Sequence, residues 1–260
     1  MSNIRQAFQN GKAFIPFITC GDPDLESTKR NVRAAVAAGA DLVELGIPFS
    51  DPTAEGPVIQ AANLRALSGG VTTDAVFQMV AELREELTTP FVFMTYANVV
   101  FSYGIEHFAA RAAEVGIDGI ILPDVPFEEK EEFAPAFRAA GIDFISMIAP
   151  TSMARIREIA AAAEGFLYVV SSLGVTGVRQ EINTDLSGML ASVRQANPSL
   201  PAAIGFGIST PAQAKRMAAV ADGVIVGSAI VRIMAEKGRE ADEEIARYVR
   251  EMKTAANTFQ

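Results

Sequence analysis

The stretch GADLVELG, residues 39–46, contains the pattern that decides the fold. Gly39 can adopt the left-handed conformation that ends a helix, and the apolar run after it is typical of a strand covered on both faces. The same order of glycine, apolar residue and aspartate precedes apolar runs at residues 116–118 and 141–143. A repeated change from helix to buried strand predicts a series of parallel β/α units.

Eight apolar runs of this kind follow one another along the chain. We predict strands at residues 14–19, 42–45, 91–95, 119–122, 144–148, 166–170, 202–205 and 223–226. Helical patterns lie between them, and residues 22–24, 72–74 and 209–211 supply N-cap side chains with proline or aspartate close by.

Eight units without a linker-like stretch predict an α/β fold, namely a single (β/α)8 TIM barrel that spans residues 1–260 as one domain. We expect an extra N-terminal helix at residues 4–9, covering the barrel bottom, and an extra helix after the second strand, at residues 57–67. An open doubly wound sheet is the alternative architecture.

Composition excludes several classes of function. The net charge of −9 opposes binding to nucleic acid, and no apolar run approaches the roughly 18 residues that span a bilayer. The polar N-terminus lacks the apolar core of a signal peptide, so we predict a cytoplasmic protein without a membrane partner. Cys20 and His107 are the only cysteine and histidine, which leaves no cluster of metal ligands.

Two glycine turns predict a phosphate site. Residues 205–209, GFGIS, follow the seventh strand, and residues 227–230, GSAI, follow the eighth and lead into a helix. Glycine lets backbone N–H groups approach an anion, and these two loops form the usual phosphate site of such barrels. The turns contain no lysine or arginine, so backbone donors would dominate. Taken alone, either turn could equally well be a tight connection between a strand and a helix, without any role in binding phosphate.

Glu44 is the strongest candidate for a catalytic residue. It lies inside an apolar strand, where burial disfavours an ionised carboxylate, raises its pKa and suits it to proton transfer near neutral pH. The loop after this strand, residues 48–57, contains three prolines and two further acidic residues. Every lysine falls outside the predicted strands, so carbon–carbon chemistry here would proceed by acid–base catalysis without a Schiff base.

Several motifs in this order closely resemble the tryptophan synthase alpha chain family. They cover almost the whole chain: residues 17–23, FITCGDP; 44–52, ELGIPFSDP; 94–98, MTYAN; 123–126, PDVP; 174–177, GVTG; and 205–209, GFGIS. The segment around Glu44 is the most specific of them, whereas a glycine turn alone is a weak signal.

The resemblance implies a lyase of L-tryptophan biosynthesis that cleaves indole-3-glycerol phosphate into indole and glyceraldehyde 3-phosphate. It implies Glu44 as the group that protonates indole C3, with Glu55 and Tyr168 as further catalytic residues. The residues implied to bind substrate are Phe17, Met94, Tyr96, Thr176, Gly177, Gly207, Gly227 and Ser228.

The resemblance also implies a partner, the tryptophan synthase beta chain, in an α2β2 complex through which indole passes in a tunnel. The partner would carry pyridoxal phosphate, and this chain would carry no cofactor. Asp51, Pro52, Asn98 and Pro126 match loops at the partner interface.

Two positions depart from the family pattern. Glu55 occupies the place of the usual catalytic aspartate, and Ser172 the place of a common arginine. Three alternatives therefore stay open: a stand-alone lyase that releases free indole, a non-catalytic activator of a beta chain, and another sugar-phosphate isomerase or epimerase.

Overall fold

A computed structural model describes residues 3–171 and 185–258, and the strands in this part of the chain form one parallel sheet. The strands are β1 (Ala13–Thr19), β2 (Val43–Gly46), β3 (Phe91–Met94), β4 (Gly119–Ile121), β5 (Asp143–Phe144), β6 (Met147–Ile148), β7 (Leu167–Val170), β8 (Ala202–Gly205) and β9 (Gly223–Val226). Their order in the sheet is β5-β4-β3-β2-β1-β9-β8-β7-β6.

β5 and β6 stand at opposite ends of this order, yet both belong to one chain segment, residues 143–148. This segment joins the two ends of the sheet, which therefore closes into a barrel with eight staves. Between them the Ile145 N–H donates to the Ile120 carbonyl oxygen at 2.9 Å, and the Tyr168 N–H donates to the Ser146 carbonyl oxygen at 3.0 Å. Hydrogen bonds therefore continue on both sides of the interrupted stave. The predicted (β/α)8 barrel is confirmed, and the open doubly wound sheet is wrong.

Helices cover the outside of the barrel. They are α1 (Leu25–Ala37), α2 (Pro57–Ser68), α3 (Thr73–Arg84), α4 (Ala97–Tyr103), α5 (Ile105–Glu114), α6 (Ala134–Ala139), α7 (Met153–Ala161), α8 (Leu186–Ala196), α9 (Pro211–Ala218), α10 (Ser228–Lys237) and α11 (Asp242–Ala256). None in the described ranges is long and apolar enough to cross a membrane.

Both predicted extra helices are present. The one after the second strand is α2, and the N-terminal one is a short 3-10 helix, Asn3–Phe8, followed later by 3-10 turns at Phe127–Glu132 and Gly238–Glu240. Ile4 is fully buried in the same apolar cluster as the inward-facing residues Ala13 and Leu42, which places the N-terminal helix across the barrel bottom. The N-terminal helix lies where the sequence predicts it. Its hydrogen bonds follow the tighter 3-10 pattern and not that of an α-helix.

Three aspartates that lie just before strands connect those strands to their neighbours: Asp41 and Asp118 from the repeated motif, and Asp222 before β9. Asp41 accepts from the Phe14 N–H at 2.7 Å, Asp118 from the Phe91 N–H at 2.9 Å, and Asp222 from the Ala202 N–H at 3.0 Å. Each carboxylate lies before one strand and satisfies a donor at the start of the adjacent strand. This contact helps to hold strand register at the barrel bottom, away from the opposite end where the loops carry function.

Asp118 also anchors Arg84, whose guanidinium donates to it at 2.7 Å and to the carbonyl oxygens of Gly116 and Thr89 at 2.9 and 2.6 Å. We predict that Asp118→Ala lowers the free energy of unfolding by about 2–4 kcal/mol, because it leaves Arg84 without its counter-ion and the Phe91 N–H without its acceptor. Urea unfolding measures this change.

Glu114→Ala is the matched control for this prediction. Its carboxylate pairs with Arg111 on the surface of one helix, so we expect a loss below about 0.5 kcal/mol. Equal stability of Asp118→Ala and Glu114→Ala would contradict the role of Asp118.

Candidate active site

A cavity opens at the carboxyl ends of the strands, where the active sites of such barrels lie. It encloses about 450 Å³ of empty space, including its open mouth. Its lining consists of Phe17, Glu44, Glu55, Ile59, Met94, Tyr168, Phe206, Gly207, Ile208, Ile225, Gly227 and Ser228. Residues from β1, β2, β3, β7 and β9, together with the loop after β8, thus meet around one space with two carboxyl groups in an otherwise largely apolar wall.

Glu44 extends from the middle of β2 into this cavity. The residue is 1% exposed, and neither carboxyl oxygen has a hydrogen-bond partner in the described residues. Burial raises its pKa from 4.5 to about 8, and repulsion by Glu55 adds to the increase. A carboxyl group in this state is protonated at neutral pH and can donate its proton to a bound molecule.

Glu55 comes from the loop between β2 and α2 and is 5% exposed. Burial raises its pKa to about 7, while a hydrogen bond from the Asn63 amide to its carboxylate, at 2.7 Å, acts in the opposite direction. The Gln60 amide holds the Glu55 carbonyl oxygen at 2.7 Å. These contacts hold the Glu55 side chain in the wall of the cavity.

Tyr168 extends from β7 toward Gly205 of β8. A Cβ atom at Gly205 would lie 2.5 Å from the Tyr168 hydroxyl oxygen, so the ring occupies the space that a side chain there would need. The Phe206 ring meets Tyr168 edge to face at 6.0 Å between centroids. Burial and the nearby Glu44 raise the pKa of Tyr168, which keeps the phenol protonated as a hydrogen-bond donor.

The two predicted glycine turns meet on one side of the cavity. Phe206 and Gly207 both have left-handed backbones, with φ of 72° and 79°, and the Ser171 hydroxyl donates to the Phe206 carbonyl oxygen at 2.6 Å. Gly227 is the N-cap of α10, and Ser228 is its first residue. The positive end of this helix dipole and the adjacent glycine backbone can accept an anion at this point.

The structure does not bring every predicted substrate residue to the cavity. Tyr96 is buried beneath the loop after β2, where its hydroxyl oxygen accepts from the Ala54 N–H at 3.1 Å and its ring stacks on Phe49 at 5.1 Å. Thr176 and Gly177 lie outside the described residues, as does Ser172. Their roles in substrate binding stay predictions.

The four predicted interface residues follow β2, β3 and β4 at the same end of the barrel as the cavity. Asp51, Asn98 and Pro126 are exposed, and Pro52 is half-buried. Phe101, on the same helix as Asn98, leaves 69% of its surface exposed. An exposed aromatic ring beside polar residues is typical of a surface that binds another protein.

The lone cysteine and histidine do not contribute to the cavity. Cys20 is fully buried after β1, and this burial raises its thiol pKa, which makes it unreactive. His107 stacks on Tyr103 at 5.0 Å between ring centroids, on the outer face of α5. In the described ranges no group of three or more His, Cys, Asp or Glu residues is placed to hold a metal ion.

Four apolar lining residues were not predicted from the sequence. They are Ile59, Phe206, Ile208 and Ile225. Ile225 lies inside a strand, where the alternation of side chains between the two faces could have identified it as facing the barrel interior. The other three lie in the loop after β8 or on α2, where no periodic signal distinguishes a cavity wall from ordinary core.

The sequence matches one protein family over nearly its whole length. The profile of the tryptophan synthase alpha chain family matches residues 2–259. The chain belongs to this family.

Relatives from other organisms agree over nearly full length. The tryptophan synthase alpha chain of Lactiplantibacillus plantarum is 50% identical over 98% of this chain and 96% of its own, and that of Lacticaseibacillus casei is 48% identical over 99% and 96%. The crystal structure of the alpha subunit from Legionella pneumophila has a TM-score of 0.87 at 35% identity and covers both chains completely. A chain of the Pyrococcus furiosus tryptophan synthase complex has a TM-score of 0.84 at 36% identity, covering 94% of this chain and 99% of its own.

The burial of Glu44 predicts how the stability of this alpha chain depends on pH. Unfolded, the carboxyl ionises above its ordinary pKa of 4.5, whereas the folded chain keeps it protonated up to about pH 8. The folded state therefore binds the extra proton between these values, and its stability falls as pH rises, by up to about 1.4 kcal/mol per pH unit.

We predict that Glu44→Gln lacks this contribution, so its stability falls less steeply between pH 5 and 8 than that of the wild type. Urea unfolding at pH 5, 6.5 and 8 measures both profiles. Parallel profiles for the two proteins would contradict the burial of an ionisable group at this position.

Proposed function

We propose that Glu44 and Glu55 are the acid–base pair with which this chain cleaves indole-3-glycerol phosphate to indole and glyceraldehyde 3-phosphate. That cleavage is the reaction of the tryptophan synthase alpha chain family, to which the chain belongs. The observation that carries the assignment is the position of Glu44, a buried carboxyl group without a hydrogen-bond partner in the described residues, in the wall of the barrel cavity.

The two carboxyl groups differ in their readiness to hold a proton. The pKa of Glu44 is raised to about 8 and that of Glu55 to about 7, and ionisation of one disfavours ionisation of the other. Glu44 has no hydrogen-bond donor beside it in the described residues, whereas the Asn63 amide donates to the Glu55 carboxylate, so Glu44 is placed as the acid and Glu55 as the acceptor. Two carboxyl groups with separated pKa values are a common arrangement for acid–base catalysis.

The cleavage needs only proton transfers between these groups and the substrate. Glu44 donates its proton to indole C3, and Glu55 accepts a hydrogen bond from the indole N–H, which stabilises the positive charge that develops on the ring. Glu44, now a carboxylate, takes the proton of the substrate hydroxyl next to the bond that breaks. The electron pair of this carbon–carbon bond returns to the ring, giving indole and an aldehyde, and Glu44 regains its proton.

The rest of the cavity orients the substrate for these transfers. Phe17 and Met94 contribute apolar surface near Glu44, which suits the indole ring. Gly227 and Ser228 lie at the N-terminus of α10, and Gly207 lines the same cavity from the loop after β8, which suits the phosphate. Tyr168 lies beside Glu44 and supplies a neutral hydroxyl donor for the glycerol part. Holding both ends fixes the reacting carbon next to Glu44.

We further infer that the chain acts with a tryptophan synthase beta chain in an α2β2 complex. The exposed residues Asp51, Asn98, Phe101 and Pro126 surround the same barrel end and provide the contact surface. Pyridoxal phosphate belongs to the partner in this scheme, and the alpha chain works without a cofactor. A cytoplasmic location stays a prediction.

We predict that Glu44→Gln lowers kcat for cleavage at least about a hundredfold, because the amide cannot give or take the proton, while the cavity keeps its shape. Release of indole by the purified chain measures the activity. Binding of glyceraldehyde 3-phosphate, measured by calorimetry, is expected to stay within about twofold of wild type.

Glu114→Gln, on the surface of α5, is the control and should have wild-type activity. Wild-type turnover in Glu44→Gln would show that another group supplies the proton.

Titration of the beta chain into the cleavage assay separates the alternative functions. The proposal predicts that the rate of cleavage rises with beta chain until the two are equimolar. A high rate without any activation would favour a stand-alone lyase. Activation of the beta chain without cleavage would favour a non-catalytic activator.

A further inference from the structure

We propose that Asn63 is the residue that positions Glu55 for catalysis, through a hydrogen bond that the length of the glutamate side chain makes possible. The inference rests on the proposed catalytic role of Glu55. Asn63 is 3% exposed, and its side-chain amide donates to the Glu55 carboxylate at 2.7 Å.

The position of Asn63 on α2 makes this contact possible. The buried residues of this helix are Ile59, Ala62, Asn63 and Ala66, so its inner face is apolar apart from one amide. Ile59 lines the cavity, and Asn63 lies one turn further along the same face. The Glu55 side chain, which begins just before the helix, must turn along this inner face to reach the amide.

The length of Glu55 matches this donor. An aspartate at position 55 would hold its carboxylate about 1.5 Å closer to the backbone, the length of one carbon–carbon bond. The backbone cannot easily compensate, because the Gln60 amide fixes the Glu55 carbonyl oxygen and the Tyr96 hydroxyl fixes the Ala54 N–H. An aspartate would then lie beyond hydrogen-bond distance of Asn63.

The amide also determines which oxygen of Glu55 faces the substrate. The Asn63 amide binds Oε2, which leaves Oε1 for the indole N–H. A neutral donor stabilises the ionised carboxylate without neutralising it, so Glu55 keeps its capacity to accept. A cation at the same place would form an ion pair and compete with the substrate.

Other groups around Glu55 in the described residues do not replace this contact. Burial and the neighbouring Glu44 from β2 disfavour the ionised form of Glu55, and the Tyr96 hydroxyl oxygen accepts from the Ala54 N–H. Tyr168 from β7 lies nearer Glu44. Arg65, the cation of α2, forms two hydrogen bonds with Asp22, at 2.8 and 2.7 Å, and is thereby engaged elsewhere.

The experiment combines Asn63→Leu and Glu55→Gln, singly and together, in the alpha chain saturated with beta chain. Asn63→Leu keeps the branching of the side chain at Cγ and removes the donor. We expect kcat to fall about tenfold to a hundredfold, KM to change less than threefold, and the acid limb of the pH profile to move to higher pH. The limb moves upward because loss of the donor raises the pKa of Glu55, so the carboxylate forms only at higher pH.

In a chain that already carries Glu55→Gln, adding Asn63→Leu should lower kcat less than twofold. Asn63→Ser, which is too short to reach Glu55, should reproduce the loss and provides a second test if the leucine variant does not fold. Asn31→Leu is the matched control, because Asn31 is a buried asparagine on α1 whose amide has no partner in the described structure. It should leave kcat and the pH profile unchanged.

The outcomes distinguish the catalytic role of Glu55 from the positioning role of Asn63. Wild-type kcat in Glu55→Gln would overturn the catalytic role of Glu55 itself. An impaired Glu55→Gln with a wild-type rate and pH profile in Asn63→Leu and Asn63→Ser would overturn the positioning role alone. An equal loss from Asn63→Leu in both backgrounds would show that Asn63 acts on the fold and not through Glu55.

Discussion

The candidate active site depends on the cost of burying the Glu44 carboxyl group in an apolar barrel wall. Charge at this position is unfavourable, so the folded chain keeps a proton there at pH values at which a free glutamate has lost it. The closed sheet maintains that environment, since β2 is covered on both faces. The second carboxyl group, Glu55, adds repulsion to the cost of ionising Glu44. The proton that Glu44 retains, and on which the proposed reaction draws, thus follows from the position of one residue in one strand.

Much of the fold could be predicted because the sequence repeats one local pattern, in which a helix ends and a buried apolar strand follows. The predicted strands at residues 202–205 and 223–226 agree with β8 and β9 at both ends. The stave at residues 144–148 is interrupted between β5 and β6, and nothing in this apolar run indicates that its pairing changes from one neighbour to the other. The role of Asp118 was also not predictable, because its acceptor function involves a donor on an adjacent strand and depends on register.

The site was predictable only where a residue conflicts with its surroundings. Glu44 is identifiable because a charged residue interrupts an apolar strand, and the glycine turns because they follow adjacent strands. Asn63 gives no such signal, since an asparagine in an amphipathic helix is ordinarily a surface residue. Its importance comes from a contact between a loop and the buried face of the next helix. The contact between Asn63 and Glu55 is therefore evident in the structure and not in the sequence.

The most direct test of this account is the titration of the Glu44 carboxyl group itself. Carbon-13 NMR of the chain labelled at glutamate side-chain carboxyl carbons, with Glu44→Gln and Glu55→Gln for assignment, follows each group as pH changes. The account predicts a resonance, absent from Glu44→Gln, that titrates with a pKa of about 8 and moves to lower pH in Glu55→Gln. A Glu44 resonance that titrates near 4.5 would mean that the group is solvated and ionised at neutral pH, and the proposed proton donor would be wrong.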